Sequence, residues 1–390
     1  MAPGDDVPPA PGPWLGGAGA PGQRRRRPEA PAAGPEDRPD VLDLVALEAQ
    51  ARAVLSPAVA DYYAGGAESE TTLREAPGAW RAWRLRPRVL RGVAAVDLGT
   101  SLLGTEVGMP IGVAPWAYQA MAHPDGERGT ARGAAAAAAL MTVSTSASTG
   151  LDDVAATEPQ APKWFQLYRL HSPAHTADLA RRAGQAGYKA LVLTADLPVM
   201  GRRLRDLAHD FALPADLPLA NHPPDRSGTA ADSPVWTFDD IGRFAELSGL
   251  PVVVKGVLRG DDAARCVEAG AAAVWVSAHG GRQADPVIAS AHALPEVVAA
   301  VADDVEVYAD GGIRSGSDVL TALALGATAV FVGRPAVWGL ATGGSSGVSR
   351  VLTGLGAELA HTMALCGLPD VRSVPRDTVT RAWTSMGPVT

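Results

Sequence analysis

From Pro110 onward, the chain alternates apolar runs of about five residues with alanine-rich stretches of helical character. The runs predicted to be strands are Ile111–Ala114, Met141–Ser144, Lys163–Tyr168, Ala190–Thr194, Val252–Lys255, Ala273–Ser277, Val305–Ala309 and Ala329–Val332. Helices are predicted between them, for example over Gly126–Leu140, Ala174–Ala186, Asp261–Ala269 and Ser317–Ala324. Eight such units over roughly 250 residues are typical of a closed (β/α)₈ TIM barrel, so we predict an α/β fold of this class.

A helical segment is predicted ahead of the barrel. Apolar residues near helical spacing are Leu42, Val45, Ala49 and Val54. Ser56-Pro57 starts a second short helix that runs through Tyr62-Tyr63, and Gly65-Gly66 ends it. Arginine-rich segments around Trp83 to Leu90 then lead into the barrel, and we interpret their charges as a solvated surface or a contact between subunits.

Two regions fall outside the repeating pattern. Residues 1–38 are rich in Pro, Gly and Ala and contain Arg24-Arg25-Arg26-Arg27. Because they lack apolar periodicity, they predict a disordered tail before a single domain over residues 39–390. The stretch from Asp206 to Pro234 holds several prolines and is interpreted as an insertion after the fourth strand. It is either a surface loop or a lid over the site.

Composition narrows the function classes. The net charge of −8 and the pI of about 5.5 argue against nucleic-acid binding through a broad basic surface. Cys266 and Cys366 have neither disulfide nor metal-type spacing, so no metal is expected. No run approaches the roughly 18 apolar residues of a membrane span, and no apolar segment follows the arginines of the tail. We expect a cytoplasmic protein that binds neither membrane nor nucleic acid.

Polar side chains follow seven of the eight predicted strands. In a (β/α)₈ barrel the C-terminal ends of the strands carry the chemistry, so these residues are expected to meet at one rim. They are Ser144, Gln166, Tyr168, Thr194, Asp196, Lys255, Ser277, His279, Arg282, Asp310, Arg314, Gly333 and Arg334. We predict a shared pocket for a cofactor and a substrate.

The turn after the sixth predicted strand carries His279 and Arg282. A base three residues from a guanidinium can take a proton from a molecule whose carboxylate the arginine binds. The sequence therefore suggests proton abstraction from a carboxylate-bearing substrate.

Glycine turns after the last two strands predict a phosphate site. Asp310–Gly316 and Val332–Pro335 combine glycines, which let the backbone approach an anion, with Arg314 and Arg334. The phosphate belongs to a cofactor or to a substrate. Lysine occurs only at Lys163, Lys189 and Lys255, and a fixed positive charge at Lys255 in mid-barrel suits a flavin that accepts a hydride.

These residues resemble those of the FMN-dependent 2-hydroxy acid oxidases and dehydrogenases, which include glycolate oxidase, lactate oxidase and mandelate dehydrogenase. The resemblance runs from about Val41 to Pro369. Its motifs are Asp61-Tyr62-Tyr63-Ala64, Met121-Ala122-His123-Pro124, Trp164-Phe165-Gln166-Leu167-Tyr168, Gly201-Arg202-Arg203, Ser277-Ala278-His279-Gly280-Gly281-Arg282-Gln283, Asp310-Gly311-Gly312-Ile313-Arg314 and Gly333-Arg334-Pro335.

The resemblance implies roles at the matching positions. His279 is similar to the catalytic base, and Asp196 to the carboxylate that pairs with it. The family's substrate-binding residues are matched by Arg282, Arg203, Tyr62 and Tyr168. The resemblance implies FMN as cofactor, with flavin and ribityl contacts from Pro115, Trp116, Ala117, Ser144, Gln166, Thr194, Lys255, Ser277 and Asp310. The implied phosphate cradle is Gly312, Arg314, Gly333 and Arg334.

Three positions depart from the family pattern. Trp116 replaces a threonine, Ser146 replaces an aromatic residue and suggests a wider or more polar pocket, and Ala278 replaces the asparagine before the catalytic histidine. Two runs, Gly201–Asp206 and Phe211–Pro214, are most similar to the hydroxymandelate oxidase branch of the family.

The resemblance implies an enzyme that oxidises an (S)-2-hydroxy acid to the 2-keto acid, on a mandelate-like or larger substrate. Its implied partners are oxygen or another electron acceptor and further copies of the chain, with a tetramer as the family's usual assembly. The alternatives are a tailoring flavoenzyme that oxidises a non-standard hydroxy or amine substrate, and a flavin-binding scaffold without activity.

Overall fold

The computed structural model describes residues 41–223 and 236–382. Eight parallel strands close into a barrel in sequential order. They are β4 (Ile111–Val113), β5 (Met141–Ser144), β6 (Lys163–Leu167), β7 (Leu191–Thr194), β8 (Val252–Val257), β9 (Ala273–Val276), β10 (Glu306–Asp310) and β11 (Ala329–Val332). The predicted (β/α)₈ barrel is confirmed, with each strand within one or two residues of its predicted bounds.

The strand sequences are apolar throughout because both faces of a closed parallel sheet are covered. Every residue of β5, β6, β7, β9 and β11 is buried. Large aromatic rings fill the barrel interior, and the ring centroids of Trp275 and Phe331 lie 4.0 Å apart. Gly112 makes room for them, since a Cβ there would lie 2.5 Å from the Phe331 ring. The interior is a packed core that supports a site at the strand ends.

Helices follow the barrel strands on the outside. They are α4 (Gly126–Ala136), α5 (Leu151–Ala156), α6 (Pro173–Gln185), α7 (Leu204–Ala208), α8 (Asp239–Ser248), α9 (Gly260–Glu268), α10 (Ser290–Val301), α11 (Gly316–Ala324) and α12 (Arg334–Leu365). The helix predicted over Gly126–Leu140 ends earlier, because Ala138 has a positive φ of 51° and the chain turns there into β5. Helix α12 is kinked at Gly343 and Gly344.

Between residue 41 and the barrel, the structure has three α-helices: α1 (Leu44–Val54), α2 (Pro57–Ala64) and α3 (Thr71–Trp80). Asp43 caps α1 by accepting from the Val45 and Ala46 amides, and Ser56 caps α2 ahead of Pro57. As predicted, Gly65 ends α2. The predicted apolar face of α1 is wrong in part.

Val45 and Val54 are 82% and 63% exposed, respectively, whereas Leu44, Leu47 and Ala51 are buried. Leu44, Leu47 and Ala51 are spaced three and four residues apart and form the buried face of α1, which packs mainly against α12. Val45 and Val54 are nine residues apart, which places them on opposite sides of the helix, so they do not share one face.

The arginine-rich segment before the barrel forms a strand that the sequence pattern did not predict. Strand β1 (Trp83–Leu85) pairs antiparallel with β12 (Val379–Arg381), near the other end of the described chain. Trp83 and Leu85 are partly buried while Arg84 is exposed, so the alternation is that of a strand with one covered face. A separate hairpin joins β2 (Thr100–Leu102) to β3 (Thr105–Val107).

The described residues from Leu42 onward, 42–223 and 236–382, form one compact unit. The predicted tail over residues 1–38 lies outside the described residues, so its disorder stays a prediction. The insertion after β7 is described up to residue 223 and contains α7. Arg205 of α7 pairs with Asp61 at 3.2 Å and with Glu70 at 2.6 Å, and these contacts attach the described part of the insertion to the N-terminal helices.

Candidate active site

A cleft of about 920 Å³, counted with its open mouth, lies at the C-terminal ends of the barrel strands. Fourteen of the predicted site residues line it: Tyr62, Pro115, Trp116, Ala117, Tyr168, Arg203, Lys255, His279, Arg282, Asp310, Gly312, Arg314, Gly333 and Arg334. The other five do not line the cleft but lie in polar clusters at the ends of the same strands. These are Ser144, Gln166, Thr194, Asp196 and Ser277.

His279 and Asp196 form a hydrogen-bonded pair, with His279 Nδ1 2.8 Å from Asp196 Oδ1. The turn that holds the histidine has a positive φ of 51°, and the His279 amide donates to Ser277 Oγ at 3.0 Å. Burial lowers the pKa of His279 even though the Asp196 carboxylate opposes this shift. The imidazole is therefore neutral at pH 7, and its Nε2 is the nitrogen available as a base.

Burial acts to raise the pKa of Asp196, but its hydrogen bond and electrostatic interaction with His279, together with the charge of Lys255, outweigh burial, so this pKa lies below its ordinary value. Asp196 is thus ionised at neutral pH. A carboxylate in this position fixes the imidazole orientation and stabilises the positive charge that the ring gains with a proton.

Arg282 is held rigidly under the N-terminal helices. Its Nη1 donates to the carbonyl oxygens of Tyr62 at 2.6 Å and of Gly65 at 2.9 Å. Burial lowers the pKa of Arg282 to about 10, with the nearby charge of Arg203 acting in the same direction. A buried guanidinium beside a second one forms a strong site for an anion such as a carboxylate.

Three tyrosines surround the two arginines. The guanidinium carbons of Arg282 and Arg203 lie 5.0 Å and 5.9 Å from the Tyr62 ring centroid. Tyr118 lies 6.1 Å from Tyr62, centroid to centroid. Burial raises the pKa of Tyr168 and of Tyr118, the latter to about 12, so both hydroxyls are protonated donors at neutral pH. The pocket thus offers donors to the oxygens of an anionic substrate.

Lys255 ends β8 in a buried polar cluster. Its Nζ donates to Ser277 Oγ at 2.9 Å and lies 3.4 Å from Asp310 Oδ2. Ser277 Oγ in turn donates to Asp310 Oδ1 at 2.7 Å. These bonds fix a positive charge at the floor of the cleft.

A second polar cluster crosses three neighbouring strands. Ser144 Oγ donates to Gln166 Oε1 at 3.1 Å, and Gln166 Nε2 donates to Thr194 Oγ1 at 2.9 Å. All three side chains are buried. The bonds orient the Gln166 amide, so the cluster presents fixed donors and acceptors at the strand ends.

Comparison with known proteins identifies the family. Residues 51–381 match the family described as FMN-dependent dehydrogenase. The chain is 45% identical to an L-lactate oxidase of Nostoc sp. over 351 residues, which covers 85% of this chain and 96% of the relative. It is 43% identical to 2-hydroxyacid oxidase 1 of Homo sapiens, covering 87% and 97% of the two chains.

Solved structures of mandelate oxidase are similar to this chain in both sequence and fold. A crystal structure of mandelate oxidase superposes with a TM-score of 0.82 at 42% identity, covering 86% of this chain and 97% of the other. A second mandelate oxidase structure contains (S)-2-phenylpropionate and has a TM-score of 0.81 at 41% identity, covering 86% of this chain and 97% of the other. The chain belongs to the FMN-dependent dehydrogenase family. Its cofactor is FMN, and it is an oxidoreductase that acts on the CH–OH group of 2-hydroxy acids.

The phosphate end of the cleft fits the FMN of this family. Burial, together with the charges of Arg282 and Arg314, lowers the pKa of Arg334 to about 9. Three guanidinium groups held close together and partly buried are costly unless an anion joins them, and a phosphate supplies that charge. Gly312 has a φ of 81°, and a Cβ there would lie 2.4 Å from the backbone of Ala76, so α3 closes this end of the cleft.

The three residues that depart from the family pattern lie in different parts of the structure. Trp116 lines the cleft, and its ring centroid is 5.5 Å from that of Tyr63. Ser146 Oγ lies 3.2 Å from His222 Nε2, in the described part of the insertion. Ala278 borders a smaller cavity shared with Leu73 and Ser290 instead of the main cleft. An asparagine at position 278 would therefore point towards α3.

The sequence pattern missed several residues around the cleft. Tyr118 directly follows the predicted flavin contacts at residues 115–117. Its place depends on a positive φ of 59°, a conformation that the sequence does not predict for a tyrosine. Phe211 stacks on Tyr62 with ring centroids 4.9 Å apart. Asp206 lies beside both arginines. The similarity of Phe211–Pro214 to hydroxymandelate oxidase was the available signal for Phe211.

Within residues 41–223 and 236–382, no helix has the length and apolar character needed to cross a membrane. In the same described part of the chain, no group of three or more His, Cys, Asp and Glu side chains is placed to hold a metal ion.

Proposed function

We propose that the protein oxidises the (S)-enantiomer of a 2-hydroxy acid to the 2-keto acid, with a mandelate-like or larger substrate. One observation carries the proposal: a neutral, partly buried His279 paired with Asp196 lines the same cleft as Arg203 and Arg282. A base and two guanidinium groups in one cleft suit a substrate whose carboxylate is bound while a proton leaves the neighbouring carbon or its hydroxyl.

The proposed roles follow from the contacts. Arg282 and Arg203 bind the substrate carboxylate, and the Tyr62 and Tyr168 hydroxyls donate to substrate oxygens. His279 takes a proton from the substrate at Nε2, and Asp196 stabilises the resulting imidazolium. FMN, when bound, would supply the acceptor for the electron pair of the oxidised carbon–hydrogen bond. Lys255, held by Ser277 and Asp310, offsets negative charge at the cleft floor.

The chain's own residues would hold FMN at three places. Arg314, Arg334, Gly312 and Gly333 would bind the phosphate, and Asp310 the ribityl chain. Polar contacts to the ring would come from Ser144, Gln166, Thr194 and Lys255, with the backbone of Pro115, Trp116 and Ala117 beside it. The bonds that orient Gln166 support this assignment.

The surroundings of Ser146, which lie next to the residues that line the cleft, are the basis for proposing a substrate larger than lactate. Ser146 is a small residue, and it hydrogen-bonds with His222 and with the Tyr118 side chain. Burial lowers the pKa of His222 to about 4, so this histidine is neutral at pH 7. Neutral polar groups beside Tyr118 accommodate an aromatic or polar substituent on the substrate carbon. The likeness to mandelate oxidase structures supports the same class.

Oxygen is the proposed electron acceptor, because the relatives that the chain resembles are named oxidases. A cytoplasmic location and a homo-tetramer are further proposals, made from the composition and the family resemblance.

The test is anaerobic mixing of the purified yellow protein with lactate, glycolate, mandelate and bulkier 2-hydroxy acids while flavin absorbance is followed. We expect (S)-mandelate or a larger acid to bleach the flavin fastest. His279→Gln should retain FMN and slow bleaching roughly a thousand-fold, the size expected for loss of a general base. His361→Gln, an exposed histidine on α12, is the matched control. Failure of every 2-hydroxy acid to bleach the flavin would contradict the proposal.

A further inference from the structure

The two arginines of the cleft are held in different ways. Arg282 is fixed by two backbone carbonyl oxygens, those of Tyr62 and Gly65. Arg203 is 13% exposed, its Nη2 donates to Met200 Sδ at 3.4 Å, and its Nε is buried without a hydrogen-bond partner. A buried donor without an acceptor costs free energy, so Arg203 gains by turning towards a new anion.

A carboxylate already lies beside Arg203. Asp206 Oδ2 is 3.9 Å from Arg203 Nη1, which is close enough for charge attraction but too long for a hydrogen bond. The Asp206 side chain is 18% exposed and lies in the first turn of α7. Asp206 therefore attracts Arg203 without a hydrogen bond, and a substrate carboxylate at hydrogen-bond distance would interact with Arg203 more strongly.

The charged groups that face Asp206 come from three elements. Arg282 comes from the turn after β9, Asp61 from α2, and Arg203 and His209 from the residues that flank α7. Burial raises the pKa of Asp206, the two arginines lower it, and the balance is a raised pKa. Asp206 is thus easier to protonate than an ordinary carboxylate.

We propose that Asp206 is an internal counter-carboxylate of the arginine pair, which releases Arg203 to the substrate carboxylate and takes up a proton when the substrate binds. The inference rests on the proposed function only in requiring that the ligand be a carboxylate. It adds a positioning residue and a proton to the binding step.

Charge balance gives the reason. Without substrate, Arg203 and Arg282 share one carboxylate, that of Asp206. When a substrate carboxylate joins them, Asp206 loses part of its attraction to Arg203 and faces a second negative charge, and both changes favour its protonated form. The proton comes from solvent and returns to it when the product leaves, so it does not enter the stoichiometry of the oxidation. Carboxylate affinity consequently rises as pH falls through the pKa of Asp206.

The experiment measures proton uptake by the FMN-loaded protein. (S)-2-Phenylpropionate has no hydroxyl to oxidise and serves as the probe. Calorimetric titrations at one pH in two buffers of different ionisation enthalpy give the number of protons taken up. We expect a net uptake of protons in the wild type and none in Asp206→Asn. That variant should also bind roughly ten-fold more tightly at pH 8, because a like charge is removed. Asp210→Asn, an exposed neighbour on the same segment, should behave as wild type.

His279 is the other group that could take the proton, since it is neutral and in the same cleft. Uptake that persists in Asp206→Asn but disappears in His279→Gln overturns the proposal, as does weaker binding by Asp206→Asn. Asp206→Glu keeps a carboxylate and should restore uptake, which separates the charge from a folding defect. Lack of any phenylpropionate binding to wild type would also overturn it.

The two proposals fail separately. Flavin bleaching by 2-hydroxy acids without proton uptake contradicts the role of Asp206 alone. Proton-coupled phenylpropionate binding without any bleaching contradicts the proposed oxidation alone.

Discussion

At the scale of single residues, the site depends on which cations are fixed and which can move. Arg282 is held by carbonyl oxygens of α2 and of the residue after it, so its position is set by the fold before any ligand arrives. A pre-positioned guanidinium binds a carboxylate in two-point geometry at a low cost in entropy. Lysine has one ammonium group and makes no such fork.

We expect Arg282→Lys to weaken the binding of 2-hydroxy acids by roughly 10- to 100-fold, because it loses both the fork and the bonds to Tyr62 and Gly65. The measurement is the apparent dissociation constant from anaerobic flavin reduction at a series of acid concentrations. Arg202→Lys is the matched control, since the Arg202 side chain is 67% exposed. Equal affinity in Arg282→Lys and wild type would place the substrate carboxylate elsewhere.

Sequence predicted the residues that follow strands and missed those that depend on loop geometry. His279, Lys255 and Arg334 were predictable because a barrel brings all strand ends to one rim. Tyr118 and Asp206 were not, because their places depend on a positive φ and on the path of the insertion. The pairing of β1 with β12 was missed because a strand of three residues leaves little pattern to read.

At the scale of elements, α3 depends on a carboxylate that is distant in sequence. Asp285 Oδ1 accepts from the Thr72 amide at 2.7 Å, and its Oδ2 accepts from the Thr71 amide at 3.1 Å and from Ser69 Oγ at 2.8 Å. Glu70, the residue before the helix, makes no side-chain capping bond. The turn that carries His279 and Arg282 is therefore joined through Asp285 to the helix that closes the phosphate end.

We expect Asp285→Ala to lower the free energy of unfolding by about 1–2 kcal/mol, the usual cost of losing a helix cap. Hydrogen bonds from Thr72, Ser69 and Thr71 outweigh burial and hold the pKa of Asp285 at about 2. This contribution is present above the unfolded pKa of roughly 4 and is lost as pH falls towards 2.

Urea unfolding of FMN-loaded protein at pH 7 and at pH 3 measures both effects of Asp285→Ala. Asp303→Ala, an exposed residue, should leave the free energy of unfolding nearly unchanged. A difference between wild type and Asp285→Ala that did not shrink at low pH would argue against the capping role.

At the scale of the whole molecule, the phosphate site joins elements from both ends of the described chain. Arg334 donates to the carbonyl oxygens of Tyr63 at 3.1 Å, Gly65 at 2.9 Å and Gly280 at 3.0 Å. The guanidinium groups of Arg334, Arg314 and Arg282 repel one another until an anion binds. Cofactor binding and stability of the native state are therefore coupled.

We expect removal of FMN to lower the melting temperature, because a ligand at a hundred times its dissociation constant contributes roughly 2.7 kcal/mol. Inorganic phosphate should restore part of the loss by neutralising Arg314 and Arg334, whereas chloride at equal ionic strength should restore less. Scanning calorimetry of apoprotein with each salt makes the comparison. Identical curves in phosphate and chloride would contradict an anion site at these arginines.

The bonds of Arg282 and Arg334 to α2 and the residue after it span 217 to 271 residues of sequence. The anchoring carbonyl oxygens are thus synthesised early, and the guanidinium groups that need them are synthesised late. Contacts of such long sequence separation form slowly and after local structure. A growing chain therefore completes its anion sites only when the last barrel strand is in place, and FMN binding reports that the whole barrel has closed.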